Sequence, residues 1–483
     1  MRSDVQPVRI KTGPRFRPVY RWLIVIGCGL AIATAPRPEG VTDEAWRLFA
    51  IFIATIVGSV VQPLSGSAMV LLGVIATVVF GALKPADALR GYSEPVVWLV
   101  LAAFFLACGM IKTGLGRRIA LLFVRAIGGR TIGVGYALVA TDFVLASMVP
   151  SNGARNGGVV IPIALGVSET YDSRPDDGTA DRFGGFLMNL LYQCDVVICA
   201  TFLTGQASNL IIADLAAKNA GVQLSYLGWL TAAIVPSVIS LAIVPLVIYK
   251  LYPPEVRETP EAPAFAAAEL EKLGPMSLHE KLMLAVLVAV VALWISKDHL
   301  HSIDTAIVAL AGICVLLAAR VVEWRDLMGD TNAWSVFIWY GGLVNIATAL
   351  GATGLTKIFA DSAASYTGEM AWPAALAVLL LVYFYSHYFF ASITAHVLAM
   401  LVPFLAVTAA VGAPAGLTVL LLAYFSNLNA GLTHYGTTPA PIYFGTGYVS
   451  QTRWWKTGFV LSLINIAIWT GAGLIWWKLL GWW

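Results

Sequence analysis

Long unbroken apolar runs, rather than short alternating ones, set the pattern of this chain. Residues 22–35, 46–61, 68–83, 96–110, 227–248, 282–295, 305–319 and 459–477 are almost free of charge. Each approaches the roughly 20 apolar residues that cross a bilayer as a helix. The pattern predicts an all-α polytopic membrane protein with about eleven full spans and several shorter apolar pieces. Strands of about ten residues with alternating polarity, the mark of a membrane β-barrel, do not occur.

The polar interruptions carry the next layer of information. Residues 253–280, "PPEVRETPEAPAFAAAELEKLGPMSLHE", are rich in Pro and charge, which predicts a linker, partly helical from 264 to 273. On either side of it the sequence repeats. Gly73 and Asp87 match Gly312 and Asp326, "TGLGRRIA" at 113–120 matches "TGLTKIFA" at 353–360, and "SNGARNGGVVIP" at 151–162 matches "SITAHVLAMLVP" at 392–403. An odd number of spans separates equivalent points, so the halves are expected in opposite orientation, the inverted-repeat plan of secondary transporters. The domain reading is a basic tail at 1–21, a first span plus first repeat at 22–252, the linker at 253–280, and a second repeat at 281–483.

Within each half an apolar helix runs into a polar turn and then into another short apolar stretch. Two re-entrant hairpins are expected, with tips at 151–155 and 392–396. Two broken helices follow, around "TGQASN" at 204–209 and "NAGLTHYGTTPAP" at 429–441. Backbone broken at membrane depth survives only against protein or a watery cavity. Helix N-termini gathered there suit an anion.

Composition and charge sharpen this picture. Hydrophobic residues make up 59% and charged residues 12% of the 483, against roughly 25% charged in soluble domains. The net charge of +3 marks no nucleic-acid partner. Arg2, Arg9, Lys11, Arg15, Arg17 and Arg21 precede the first span, whereas Glu39, Asp43 and Glu44 follow it. The positive-inside rule then puts the N-terminus in the cytoplasm. No cleavage site of small residues is evident after Ala35, and no long Ser-rich transit extension precedes the first span. A bacterial inner membrane is the expected location. Cys28, Cys108, Cys194, Cys199 and Cys314 sit in apolar stretches and read as buried free thiols. Neither metal-ligand spacing nor a cofactor or hydrolase fingerprint is present, so no metal, cofactor or enzymatic activity is expected.

Arg155 is the residue that most needs a reason. A charge at the bilayer centre costs on the order of 2.5–3.5 kcal/mol even on insertion scales, so an intramembrane Arg is a functional candidate by default. It could pair internally with Asp142 or Asp195. It could equally face a bound anion, since its partner in the repeat is His396, and both basic groups stand four residues after a Ser. His434, in the second break, is a further candidate, and His387 reads as hairpin support.

"PSNGAR" with "GGVVIPI", its partner "SITAHV", and "GLTHYGTTPAPIYFGTGY" together resemble the divalent anion/sodium symporter family, and in particular its exchanger branch. That resemblance covers nearly the whole chain beyond the basic tail. It implies a homodimer in the lipid bilayer, each protomer with a scaffold and an elevator-type transport domain. It also implies exchange of di- or tricarboxylate anions such as 2-oxoglutarate, malate, succinate, tartrate or citrate. A sodium- or proton-coupled dicarboxylate symporter is the alternative. The family's tip signatures fall on Ser151, Asn152 and Gly153, and on Ser392, Ile393 and Thr394, with Gly153 replacing the usual Thr and Ile393 the usual Asn. Arg155 and His396 resemble the cationic residues of the exchanger branch. The breaks contribute Thr204, Gly205 and Asn209, and Thr433, Gly436, Thr437 and Thr438, with Pro439 and Pro441 holding the second break open.

Overall fold

The computed structural model describes residues 18–355, 358 and 370–483. Most of the basic tail and part of the "TGLTKIFA" match therefore lie outside the described residues. The chain begins with α1 (Pro18–Thr34), α2 (Asp43–Val61) and α3 (Gly66–Val79), each packed on the next, and continues into α4 (Pro95–Thr113). Local chemistry sets the starts of these helices. Thr42 caps α2, accepting a hydrogen bond from the Ala45 amide ahead of Asp43 and Glu44, and Pro95 occupies the first turn of α4, where its missing N–H is harmless. The amphipathic α5 (Leu115–Ile127) buries Leu115, Ala120, Leu121 and Val124.

The first hairpin follows. Helix α6 (Thr131–Ala146) ends in the turn at 147–151. Helix α7 returns through Asn152–Arg155, a π turn at Asn156–Val160 and Ile161–Thr170. Next come α8 (Gly184–Thr201), an extended break, α9 (Ala207–Ala220) and the long α10 (Tyr226–Leu251). The 253–280 segment is more ordered than a free linker. Its helix α11 (Glu261–Leu273) packs on α5, Arg117 bonds Glu269 at 2.5 Å, and the Thr131 and Thr259 amides pair with the Arg257 and Gly129 carbonyls.

The second half repeats this order. Helices α12 (Leu278–Ser296), α13 (Thr305–Ala318) and α14 (Thr331–Ala352) pack with α3 and α4. Helix α15 (Trp372–Tyr385) and its 3-10 extension Ser386–Phe389 then reach the second tip, and α16 (Ile393–Ala410) returns. Helix α17 (Ala415–Leu428), extended by Asn429–Leu432, meets the second break. Beyond it lie the short α18 (Pro439–Gly445) and the long α19 (Gln451–Leu479).

Among the described residues there is no β-ladder, only the isolated bridges Arg130–Glu258 and Lys297–His301. Among the described residues, ten helices, some counted with their 3-10 extensions, are long and apolar enough to span a membrane, and four shorter apolar helices accompany them. The expectation of about eleven spans is of the same order. Helices α8 and α17 form the centre, with every residue of α8 buried. Cys194 and Cys199 are buried there as expected. Cys28 and Cys108 are half-buried and Cys314 is exposed, because their helices turn an outer face to the surroundings.

Candidate functional site

Both tips and both breaks meet at one cavity of about 920 Å³. Its inner wall takes Ser151, Asn152 and Gly153 from the first tip and Ser392, Ile393 and Thr394 from the second. Gln206 and Ser208 come from the first break, and Thr437 and Thr438 from the second. The opposite wall is α4 and α14, through Phe104, Ile111, Trp339 and Tyr340. At the mouth, on the side of the 253–280 segment, Lys112 bonds Asp326 at 2.5 Å, beside Arg325 and Asp330. The Lys112 ammonium holds the Asp326 carboxyl below the usual carboxylate range.

The two halves interlock crosswise. The Asn152 amide of the first tip donates to Thr437 Oγ1 of the second break at 3.2 Å. Thr394 of the second tip hydrogen-bonds Ser208 of the first break. Ser151 caps α7 by accepting from the Ala154 amide at 3.3 Å. The cavity therefore faces the starts of α7, α9, α16 and α18. Each full-length helix N-terminus carries about half a positive charge.

The break carbonyls are satisfied by side chains from behind the cavity, as membrane burial requires. Asn209 Nδ2 donates to the Cys199 and Phe202 carbonyls at 2.7 and 2.9 Å, and Thr204 Oγ1 to the Ala146 carbonyl at 2.9 Å. Around the second break, Tyr192 and Gln193 hold the Ala430 and Gly431 carbonyls, and His387 Nε2 donates to Gly436 O at 2.9 Å. Gly205 and Gly436 let each break fold tightly against its own helix. A Cβ there would lie 2.4 Å from the Cys199 carbonyl oxygen and 2.5 Å from that of Ala430.

The expected basic groups do not line this cavity. Arg155 is fully enclosed: Nε bonds Asp142 at 2.7 Å, Nη2 bonds Asp195 at 3.3 Å and Cys199 Sγ at 3.7 Å, and Nη1 bonds the Val149 and Gly205 carbonyls at 2.8 and 2.7 Å. The internal pairing left open by the sequence is the one present, with both aspartates at once. The guanidinium fork is used up on the ends of two broken helices, leaving no N–H for a ligand. His396 is likewise enclosed, its Nε2 held by the Tyr383 carbonyl at 3.0 Å and Ser386 Oγ at 2.9 Å. His434 accepts from the Trp455 indole at 3.1 Å and packs on Phe444. Thr204, Asn209, Thr433 and Gly436 also stand behind the wall, in the backbone roles just described or, for Thr433, simply buried.

The sequence reading passed over Gln206 and Ser208, although both belong to the quoted "TGQASN" stretch. Their signal is position. Polar residues at the N-cap and first turn of the half-helix after a break point into the gap, whereas Thr204 and Asn209 brace the backbone.

Apolar helices, crossed hairpins and a cavity with one polar wall between broken helices define a multi-pass membrane transporter rather than an enzyme. Residues 18–483 match the family model described as the sodium:sulfate symporter transmembrane region. The chain belongs to this divalent anion/sodium symporter family. It is 43% identical to a putative malate transporter of Bacillus subtilis, over 95% of this chain and 96% of that protein. Chloroplastic dicarboxylate transporter 1 of Arabidopsis thaliana is 42% identical, over 95% and 83%. The L-tartrate/succinate antiporter of Shigella flexneri is 32% identical, over 95% and 97%. The crystal structure of the Alcanivorax borkumensis YdaH transporter shares the fold, with a TM-score of 0.57, 12% identity, and 96% and 98% of the two chains covered.

Proposed function

We propose that this protein exchanges dicarboxylates, of the malate, succinate, 2-oxoglutarate or tartrate class, with citrate as the tricarboxylate extreme, by elevator-type alternating access. The carrying observation is the convergence of the starts of α7, α9 and α16 on a cavity lined by Ser151, Asn152, Gln206, Ser208, Ser392, Thr394, Thr437 and Thr438. Three helix N-termini at about half a charge each sum to about +1.5, close to what a dianion needs. The short α18 adds to this field. The hydroxyl and amide groups then orient the two carboxylates, while Arg155 and His396 support the tips from behind.

The same field favours exchange. An empty site carries its uncompensated positive potential into the low-dielectric barrier, whereas a bound dianion cancels it. The relatives named as dicarboxylate and malate transporters and as an antiporter support this reading. We take the carrier as a homodimer in a bacterial inner membrane with its N-terminus in the cytoplasm.

The test is uptake of radiolabelled succinate or malate into sodium-free proteoliposomes with and without unlabelled dicarboxylate inside. Exchange requires uptake into preloaded vesicles only, unchanged by added sodium. Uptake into empty vesicles driven by a sodium or proton gradient would establish the symporter alternative instead.

A further inference from the structure

Behind the first tip, the charge and hydrogen-bond counts around Arg155 both disagree with two ionised aspartates. Asp142 on α6 and Asp195 on α8 are 3% and 0% exposed, and each gives its Oδ1 to the one guanidinium. Two carboxylates against one cation leave a surplus negative charge where burial makes it expensive. The other titratable groups facing the cluster are Tyr192, Cys194 and Cys199 on α8 and Tyr443 on α18, none of them cationic. The second oxygens make the same point independently. Neither Asp142 Oδ2 nor Asp195 Oδ2 meets a donor among the described residues, although both carboxyl groups are held against the same guanidinium through their Oδ1 atoms. Two ionised carboxylates so placed repel.

We propose that Asp142 and Asp195 together hold one proton on their unpaired oxygens, making the Asp–Arg–Asp cluster a neutral, proton-loaded site separate from the anion cavity. A single proton removes the surplus charge and turns one orphan acceptor into a donor. The two carboxyls then titrate as a pair rather than singly.

This site is wired to the cavity through Asn156. Its Nδ2 donates to Asp195 Oδ1 at 2.9 Å and to the Asn152 carbonyl at 3.0 Å, while its Oδ1 accepts from Tyr443 at 2.6 Å. Loss of the proton would set a negative charge behind the first tip, opposing the field that draws an anion. The proton is therefore a co-ligand of anion binding. That consequence rests on the dicarboxylate reading, whereas the proton site itself does not.

Infrared spectroscopy of the purified full-length protein in lipid nanodiscs, for wild type, Asp142→Asn and Asp195→Asn, tests the site directly. At about pH 7, where an ordinary Asp with a pKa of about 3.9 is ionised, wild type is expected to show a carboxylic-acid C=O band that either Asn variant removes. Both single variants are expected to stay folded and to keep succinate exchange within about threefold, because an amide supplies the missing donor and cancels the surplus charge. The double variant, with Arg155 unpaired, is expected to lose folded protein. A missing acid band, or single Asn variants as damaging as Asp→Ala, would overturn the proposal. Failure of wild type to move succinate would sink the dicarboxylate reading and leave the infrared result standing.

Discussion

Replacing Arg155 separates two roles that the sequence alone left open. If its charge held the substrate, Arg155→Ala would leave a sound protein with a weakened site. The structure instead has the guanidinium tying Asp142 and Asp195 to the Val149 and Gly205 carbonyls, with no exposed surface. Removing one partner of a buried pair costs about 3–5 kcal/mol. Each carbonyl stripped of its donor adds about 1–3 kcal/mol. Even the lower ends reach about 5 kcal/mol, comparable to the whole stability of many folded proteins. Arg155→Ala is therefore expected to yield little monodisperse protein in detergent and to lower the melting temperature sharply. Arg155→Lys is expected to fare almost as badly, since an ammonium keeps the charge but not the planar fork that reaches five acceptors. The assay pairs yield and melting temperature with stabilisation by succinate, which rises with the ratio of ligand to Kd. Wild-type yield and melting temperature combined with lost succinate stabilisation would refute the structural role and return Arg155 to the anion.

The cavity hydroxyls make the opposite forecast. Thr437→Val and Thr394→Val, which remove the crosswise partners of Asn152 and Ser208, are expected to weaken apparent succinate affinity by about ten- to hundredfold each, with yield near wild type, since one hydrogen bond to a charged ligand is worth about 1.5–3 kcal/mol; counterflow KM measures this. Gly436→Ala brings a Cβ to 2.5 Å from the Ala430 carbonyl oxygen and is expected to cost about 1–3 kcal/mol, visible as a lower melting temperature. Asn209→Leu strips the Cys199 and Phe202 carbonyls of their donor and should reduce stability by about 2–5 kcal/mol, while Gln206→Ala, on the cavity wall, should act on KM instead.

The membrane class, the all-helical fold and the places where helices break were all legible in the order of residues. Those features follow from local chemistry: apolar runs of spanning length, and small, polar or Pro-rich turns where a helix cannot continue. Ser151, Asn152, Ser392, Thr394 and Thr437, which line the cavity, were legible as candidates because tip and break motifs are contiguous stretches. Tertiary structure decided which groups face the cavity and which brace it. Thr204 and Ser208 stand four residues apart in one motif, yet one supports the Ala146 carbonyl and the other meets Thr394 across the cavity. Arg155 has the same charge in either role. Only the packing of α6, α7 and α8 brought Asp142, Asp195 and two carbonyls within its reach, and a buried cation surrounded by acceptors has no donor left for a ligand.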